Sequence, residues 1–187
     1  ESKIAAIKEP AIIISTGAVS KGVWDFIPES LKNMGATIHF HRVNIRPGKP
    51  VLFAALPNGS FYFGLPGNPI SAAIGFTFFV MPLVRALQGL PDAPPIMAHL
   101  ENSFTKKGDF RQFLKASVWL DEAGSLRAYI SDGQESFKIS PMAANNAWVV
   151  LEEGKTAAKA GDRVSVVLYA ALKTTSRRED KTLCQAA

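Results

Sequence analysis

The chain has 187 residues, 47% of them hydrophobic and 20% charged, and 21 basic against 16 acidic residues give it a formal net charge of +5. This composition excludes a disordered chain and leaves material for one large or two small packed domains. A single cysteine, Cys184, in a polar tail near the C-terminus excludes a disulfide framework and a cysteine-based metal site and makes a reducing cytoplasm the expected compartment.

In chain order, residues 1–10 read as the end of a helix or an entering loop with no signal peptide, and Ala11 to Ile14 as a strand of the buried, parallel type. A doubly wound sheet ordinarily has further β-α units before such a strand, so the chain is expected to lack the upstream half of this domain. Ser15 to Phe26 is a polar, glycine-containing loop (Ser-Thr-Gly-Ala-Val-Ser-Lys-Gly-Val-Trp-Asp-Phe). Phe26, Ile27, Leu31 and Met34 then fall at helical spacing and stop at Gly35. Ala36 to Ile45 reads as a strand, which completes a strand–helix–strand unit. Val51 to Leu56 and Ser60 to Leu65 flank Pro57-Asn58-Gly59, a hairpin signal. A helix is predicted from Pro69 to about Leu87. Its apolar run contains Pro82 and has no second hydrophobic span beside it, so a buried globular helix is expected and no membrane partner.

Leu90 to Pro95 is proline-rich and stiff, a linker signal. Beyond it, Ala98 to Phe104, Phe110 to Trp119, Leu126 to Ile130, Trp148 to Leu151 and Val164 to Tyr169 are short β-type runs, and Ala160-Gly161-Asp162 is a turn before the last. A small all-β barrel or sandwich follows. The expected organisation is an α/β half-domain over residues 1–90, a linker over 91–97, an all-β domain over 98–173 and a mobile tail over 174–187.

The segment Gly64-Leu65-Pro66-Gly67-Asn68-Pro69-Ile70-Ser71 carries the chemistry. Glycines allow close backbone approach, Asn68 suits an N-cap, Pro69 fits the first helical position, and the free N–H groups behind them favour an anion. Arg42, Arg46 and Lys49 follow an extended segment upstream and supply cations for phosphate or another oxyanion. Gly17 and Ser20 in the first loop are expected to join them. For Arg42 and Arg46 the alternative is a solvated strand edge, since spacing of four puts both on one face. Asp25 caps the helix near Phe26, contacts a metal or ligand, or does both. His39 and His41 alternate on one strand, but no third metal ligand stands at matching spacing. Trp24, Trp119 and Trp148 are expected in the core or an interface. No recognition motif accompanies the basic excess, so no nucleic-acid partner is expected.

These three segments, in this order, resemble the molybdopterin molybdenumtransferase family, which includes the bacterial MoeA proteins and the matching domain of gephyrin. The family pattern reads roughly S-[ST]-G-G-V-S-x-G-x-x-D, then K-x-x-x-[IM]-K-P-G-K-P, then G-L-P-G-N-P-x-S, and the chain resembles the C-terminal portion only. The resemblance implies a partial MoaB/Mog-like three-layer α/β domain with a mainly parallel sheet and a small all-β barrel-like C-terminal domain. It implies insertion of molybdate into adenylated molybdopterin, with magnesium required, in a cytoplasmic enzyme whose full-length form is a homodimer and of which this piece alone is inactive. By resemblance, Asp25, Arg42 and Arg46 are the catalytic candidates, Asp25 also for magnesium, and Gly17, Ser20, Lys49, Gly64, Pro66, Gly67, Asn68, Pro69 and Ser71 bind substrate. Arg111 and the segment from Ser140 to Asn146 also match family positions, with an expected structural role or contact with a partner subunit.

The departures are Ala18 for the second glycine, Val23 for an acidic residue, and arginine at the two lysine positions. They leave open a non-catalytic scaffold or decayed module. Nucleotidyl transfer of the molybdopterin adenylyltransferase kind is the other alternative, which the linker and the β-rich second half argue against.

Overall fold

A computed structural model describes residues 2–17 and 26–172. Two compact units divide between Asp92 and Ala93. The first contains α1 (Ser2–Ala5), β1 (Ile12–Thr16), α2 (Ile27–Asn33), β2 (Thr37–His41), the two-residue β3 (Ile45–Arg46), β4 (Leu52–Ala55), β5 (Phe61–Leu65), α3 (Pro69–Gly75), a π-helical turn (Phe76–Val80) and α4 (Met81–Leu87).

β1, β5, β4 and β2 form one sheet in that spatial order. β1 pairs with β5 in parallel, and β4 is antiparallel to both β5 and β2. Thus β1, β5 and β2 share a direction and β4 alone opposes them. The reason is the expected hairpin at Pro57-Asn58-Gly59: Gly59 takes φ +83°, the Asn58 side chain accepts from Ser60 N at 3.1 Å, and the chain turns straight back. The expected strand from Ala36 to Ile45 is divided, because Arg42 adopts φ +72° and takes the chain out of β2.

Each face of the sheet is covered. On one side Leu31, Leu52, Ala54, Leu56 and Tyr62 are buried together, with Ile4 and Ile27 against them. On the other, Val51, Phe63, Leu65 and Val80 are buried, with Ala72, Leu83 and Val84 packed on them. Alternation along the strands creates these two faces, and the helices make the three-layer α/β sandwich.

α3, the π turn and α4 run continuously from Pro69 to Leu87, a helix long and apolar enough to cross a membrane by length and composition. Pro82 lacks an N–H and crowds the carbonyl four residues back, and the widened π turn lies immediately before it. The expectation of a buried helix holds for one face: Ile70, Ile74 and Val80 are buried, whereas Phe76 is 44% and Met81 38% exposed.

The second unit holds β6 (Ile96–Leu100), β7 (Phe104–Thr105), β8 (Arg111–Leu120), β9 (Leu126–Ile130), α5 (Ser140–Ala143), β10 (Ala147–Leu151), β11 (Ala157–Ala158) and β12 (Arg163–Leu168). β10, β12, β6, β9 and β8 neighbour one another in that order, and β8 pairs again with β10, which closes a five-stranded barrel. Leu100, Leu114, Ala116, Val118, Ala128, Val149, Leu151 and Val166 fill it. Small side chains at Ala116 and Ala128 suit so narrow an interior.

The residues of β8 between these interior positions point outward, and the chain from Ser131 to Asn146 covers them. The Gln134 side chain accepts from Lys115 N at 2.9 Å and donates to Lys115 O at 2.9 Å, so an amide continues the ladder where no strand lies. Lys115 is 1% exposed and its ammonium donates to the carbonyls of Glu135 and Lys138, both at 3.1 Å; burial holds its pKa below the usual lysine value. Trp148 is fully buried beside Tyr169, with ring centroids 5.0 Å apart, and burial pushes the Tyr169 phenol up to about 12.

Asn146 closes the layer. Its oxygen accepts from Val118 N at 2.8 Å, and its nitrogen donates to Val118 O at 2.8 Å and Ala171 O at 3.0 Å. Truncation would leave the buried N–H and carbonyl of Val118 without partners, each costing about 1–3 kcal/mol. Asn146→Ala is therefore expected to lower stability by about 2–4 kcal/mol in urea unfolding monitored through tryptophan fluorescence.

Candidate functional site

The three motif segments lie at one end of the first unit's sheet, and strand direction is the cause. β1 and β5 run in parallel register from the Ile12–Phe61 pair to the Thr16–Leu65 pair, so Gly17 and Pro66 leave the sheet side by side. β2 shares their direction and ends at His41, while β4 opposes it and begins at Leu52. The connection from Arg42 to Val51 accordingly spans the same end.

Close backbone approach joins the segments. Gly17, at φ +83°, donates its N–H to Leu65 O at 3.0 Å. A Cβ on Gly67 would stand 3.4 Å from the Gly17 Cα, and one on Gly48 would stand 3.6 Å from the Ser71 carbonyl oxygen and 3.2 Å from Ile45 Cδ1. Gly48 sits at φ +110°, where a side chain is strained whatever the room.

Asn68 starts the helix as its residue type predicts. Its side-chain oxygen accepts from Ile70 N at 3.1 Å and Ser71 N at 3.4 Å, and Pro69 takes the first helical position. In this state the Ile70 and Ser71 N–H groups serve the cap, so a ligand here meets the positive end of the helix and not two vacant donors. Pro66 and Gly64 are buried beneath, Ser71 is 6% exposed, and Gly67 and Pro69 face solvent.

The segment from Arg42 to Val51 is closed at its base: Arg42 N donates to Val51 O at 2.8 Å and Val43 N to Lys49 O at 2.9 Å. Arg42, Arg46 and Lys49 are exposed on it. The reading of Arg42 and Arg46 as neighbours on one continuous strand face fails, because Arg42 lies in the left-handed region and Arg46 in the separate β3. A non-glycine residue at that φ costs on the order of 1 kcal/mol or more, and the two closing hydrogen bonds hold it there.

Ser20 and Asp25, together with Ala18, Val23 and Trp24, lie outside the described residues. Among the described residues no group of three or more His, Cys, Asp or Glu side chains assembles. Cations, hydroxyls and an amide suit an oxyanion and do not by themselves hold magnesium. His39 stacks on Phe53 at 5.2 Å, and a register irregularity between Ile38 and Phe40 interrupts the alternation assumed for His39 and His41.

Tyr62 was not singled out in the sequence. It is 1% exposed, and its phenol hydrogen-bonds Ser15 Oγ at 2.6 Å; burial raises its pKa above the ordinary tyrosine value. Only the β1–β5 register could have revealed this pair. In the second unit Arg111 forms an exposed ion pair with Glu152 at 2.6 Å, and Ser140–Ala143 forms α5.

Gly48→Ala is expected to destabilise the chain by about 1 kcal/mol or more, read as a lower melting temperature in calorimetry. Asn68→Ala, which removes the cap, should cost about 1 kcal/mol in the same measurement.

The model of the family described as probable molybdopterin binding domain matches residues 1–86, and that described as MoeA C-terminal region (domain IV) matches residues 97–169. Molybdopterin molybdenumtransferase of Staphylococcus aureus (strain Mu50 / ATCC 700699) is 36% identical over 174 residues, 90% of this chain and 41% of that protein. Its counterpart in Staphylococcus epidermidis (strain ATCC 12228 / FDA PCI 1200) is 36% identical over 165 residues, 87% of this chain and 39% of that protein. The chain thus spans about two fifths of the length of the curated relatives it matches. The crystal structure of a molybdopterin biosynthesis MoeA protein from Pyrococcus horikosii superposes with a TM-score of 0.65 at 25% identity, over 91% of this chain and 39% of that one. A molybdenum cofactor biosynthesis protein from Pyrococcus furiosus shares the fold, with a TM-score of 0.61 at 20% identity over 86% of this chain and 68% of that one. A molybdopterin-binding type α/β unit followed by a MoeA-type C-terminal barrel is the arrangement of one family, and the chain belongs to it: it matches the C-terminal portion of the molybdopterin molybdenumtransferases.

Proposed function

We propose that the chain acts in molybdenum cofactor biosynthesis and contributes the oxyanion-holding part of a site that inserts molybdate into adenylated molybdopterin. The observation that carries this reading is the junction of Gly17, Gly67, Ser71 and Gly48 at one sheet end, with Arg42, Arg46 and Lys49 exposed on the adjoining segment. Backbone approach without side chains, a positive helix end and guanidinium groups are the means by which proteins seat phosphate and similar oxyanions. The MoeA C-terminal region over residues 97–169 supports this reading over nucleotidyl transfer.

On this reading Gly64, Pro66, Gly67, Asn68, Pro69 and Ser71, with Gly17 and Ser20, seat the phosphate and pterin portion, and Arg42, Arg46 and Lys49 offset the charge of molybdate and pyrophosphate. Asp25 is the candidate for a metal contact. Catalysis is electrostatic and positional: the cations bring two anionic reactants together and lower their repulsion. Magnesium would lower that repulsion further, and the described side chains supply no carboxylate set for it. A small-molecule substrate, a homodimer of the longer protein and a cytoplasmic location belong to the same proposal.

Titration calorimetry with adenylated molybdopterin and molybdate tests it; absence of binding by a well-folded chain would refute it. Arg46→Ala is expected to weaken binding roughly ten- to hundredfold, the scale of one charge-assisted hydrogen bond of about 1.5–3 kcal/mol, without change in melting temperature. The affinity should fall with added salt, since exposed cations are screened within about 10 Å at 0.1 M.

A further inference from the structure

We propose that Tyr62 is a positioning residue of this site: its buried phenol holds Ser15 so that the Ser15 hydroxyl donates to the oxyanion seated beyond β1 and β5. The inference rests on the function proposed above and adds two residues to it.

The Tyr62 ring sits in the apolar cluster of Leu31, Leu52, Ala54 and Leu56, 1% exposed. A phenylalanine would fill that space without burying a hydroxyl, and burying one is unfavourable unless it is bonded. The hydroxyl bonds Ser15 Oγ at 2.6 Å. Register explains the reach: Tyr62 stands opposite Ile13 and the next residue on that face of β5 is Gly64, opposite Ser15, so no side chain separates the pair.

The direction of the bond follows from what each partner can do otherwise. The phenol proton is enclosed, and Ser15 is its partner among the described residues; burial also keeps that proton in place by raising the phenol's pKa. Tyr62 therefore donates and Ser15 Oγ accepts. Ser15 is only half-buried; accepting from Tyr62 leaves its own proton to be donated elsewhere, and on this proposal it goes to the ligand at the open end of β1. Two residues on, Gly17 N is fixed to Leu65 O at 3.0 Å. The exit of β1 is thus held on both sides of Thr16, and the loop leaves with one hydroxyl orientation selected.

The test is calorimetric titration of adenylated molybdopterin into the chain and into its Tyr62→Phe, Ser15→Ala and doubly substituted variants, with melting temperatures measured alongside. Each single variant is expected to bind about tenfold more weakly, and the double variant no more weakly than Ser15→Ala, because the phenol acts through the serine. Ser15→Thr, which keeps the hydroxyl, should restore most of the loss. Wild-type affinity in Tyr62→Phe or in Ser15→Ala, with or without a lower melting temperature, overturns the inference while leaving the proposed function standing. If Tyr62→Phe does not fold, a tenfold loss in Ser15→Ala reversed by Ser15→Thr supports the assignment and its absence overturns it. A folded wild-type chain that does not bind the probe refutes the function and the inference together.

Discussion

The parallel pairing of β1 with β5 is the contact on which the first unit depends. Parallel neighbours end together, so segments distant in the chain leave the sheet at one point, the end at which open α/β sheets commonly bind ligands. Gly17 and Gly67 meet there because Ile12 is opposite Phe61 and Thr16 opposite Leu65. A slip of one residue would exchange the faces of β1, turning Ile13 out of its cluster with Leu31 and Tyr62. The hydrophobic pattern thereby fixes the polar site.

The unusual backbone conformations near that end have a shared logic. Gly17 at φ +83° and Gly48 at φ +110° are residues that bear such angles easily, whereas Arg42 at φ +72° is not. A guanidinium replaces a glycine's freedom there, and the hydrogen bonds from Arg42 to Val51 and from Val43 to Lys49 hold the turn closed. The cations are therefore carried by a tied loop on a rigid sheet, the arrangement that lets an electrostatic site be preorganised.

Local signals were legible in the residues themselves. Asn68-Pro69 announced a capped helix, Gly35 a helix stop, Pro57-Asn58-Gly59 a hairpin, and the short runs after Pro95 a β domain; the cap, the turn and the barrel strands all stand in the structure. Features that depend on which strands meet were not legible. The Tyr62–Ser15 bond needs a register, and the irregularity between Ile38 and Phe40 needs β4 as partner. The cover from Ser131 to Asn146 was not legible either, because its role rests on Gln134 imitating a strand and on Lys115 ending among carbonyls. The motif glycines were recognisable singly, but their mutual approach at Gly17 and Gly67 is a property of the assembled sheet.

The closed barrel has a consequence for the chain's behaviour in a crowded solution. Each of its five strands pairs with two others of the ring, so among the described residues the ring has no outer strand for another molecule to extend. β1 and β2, by contrast, are the outer strands of the first unit's sheet among the described residues, and β1 carries three successive isoleucines, with Ile14 41% exposed. If copies of this chain adhere to one another through their strands, growth should begin at β1 and leave the barrel intact within the aggregate.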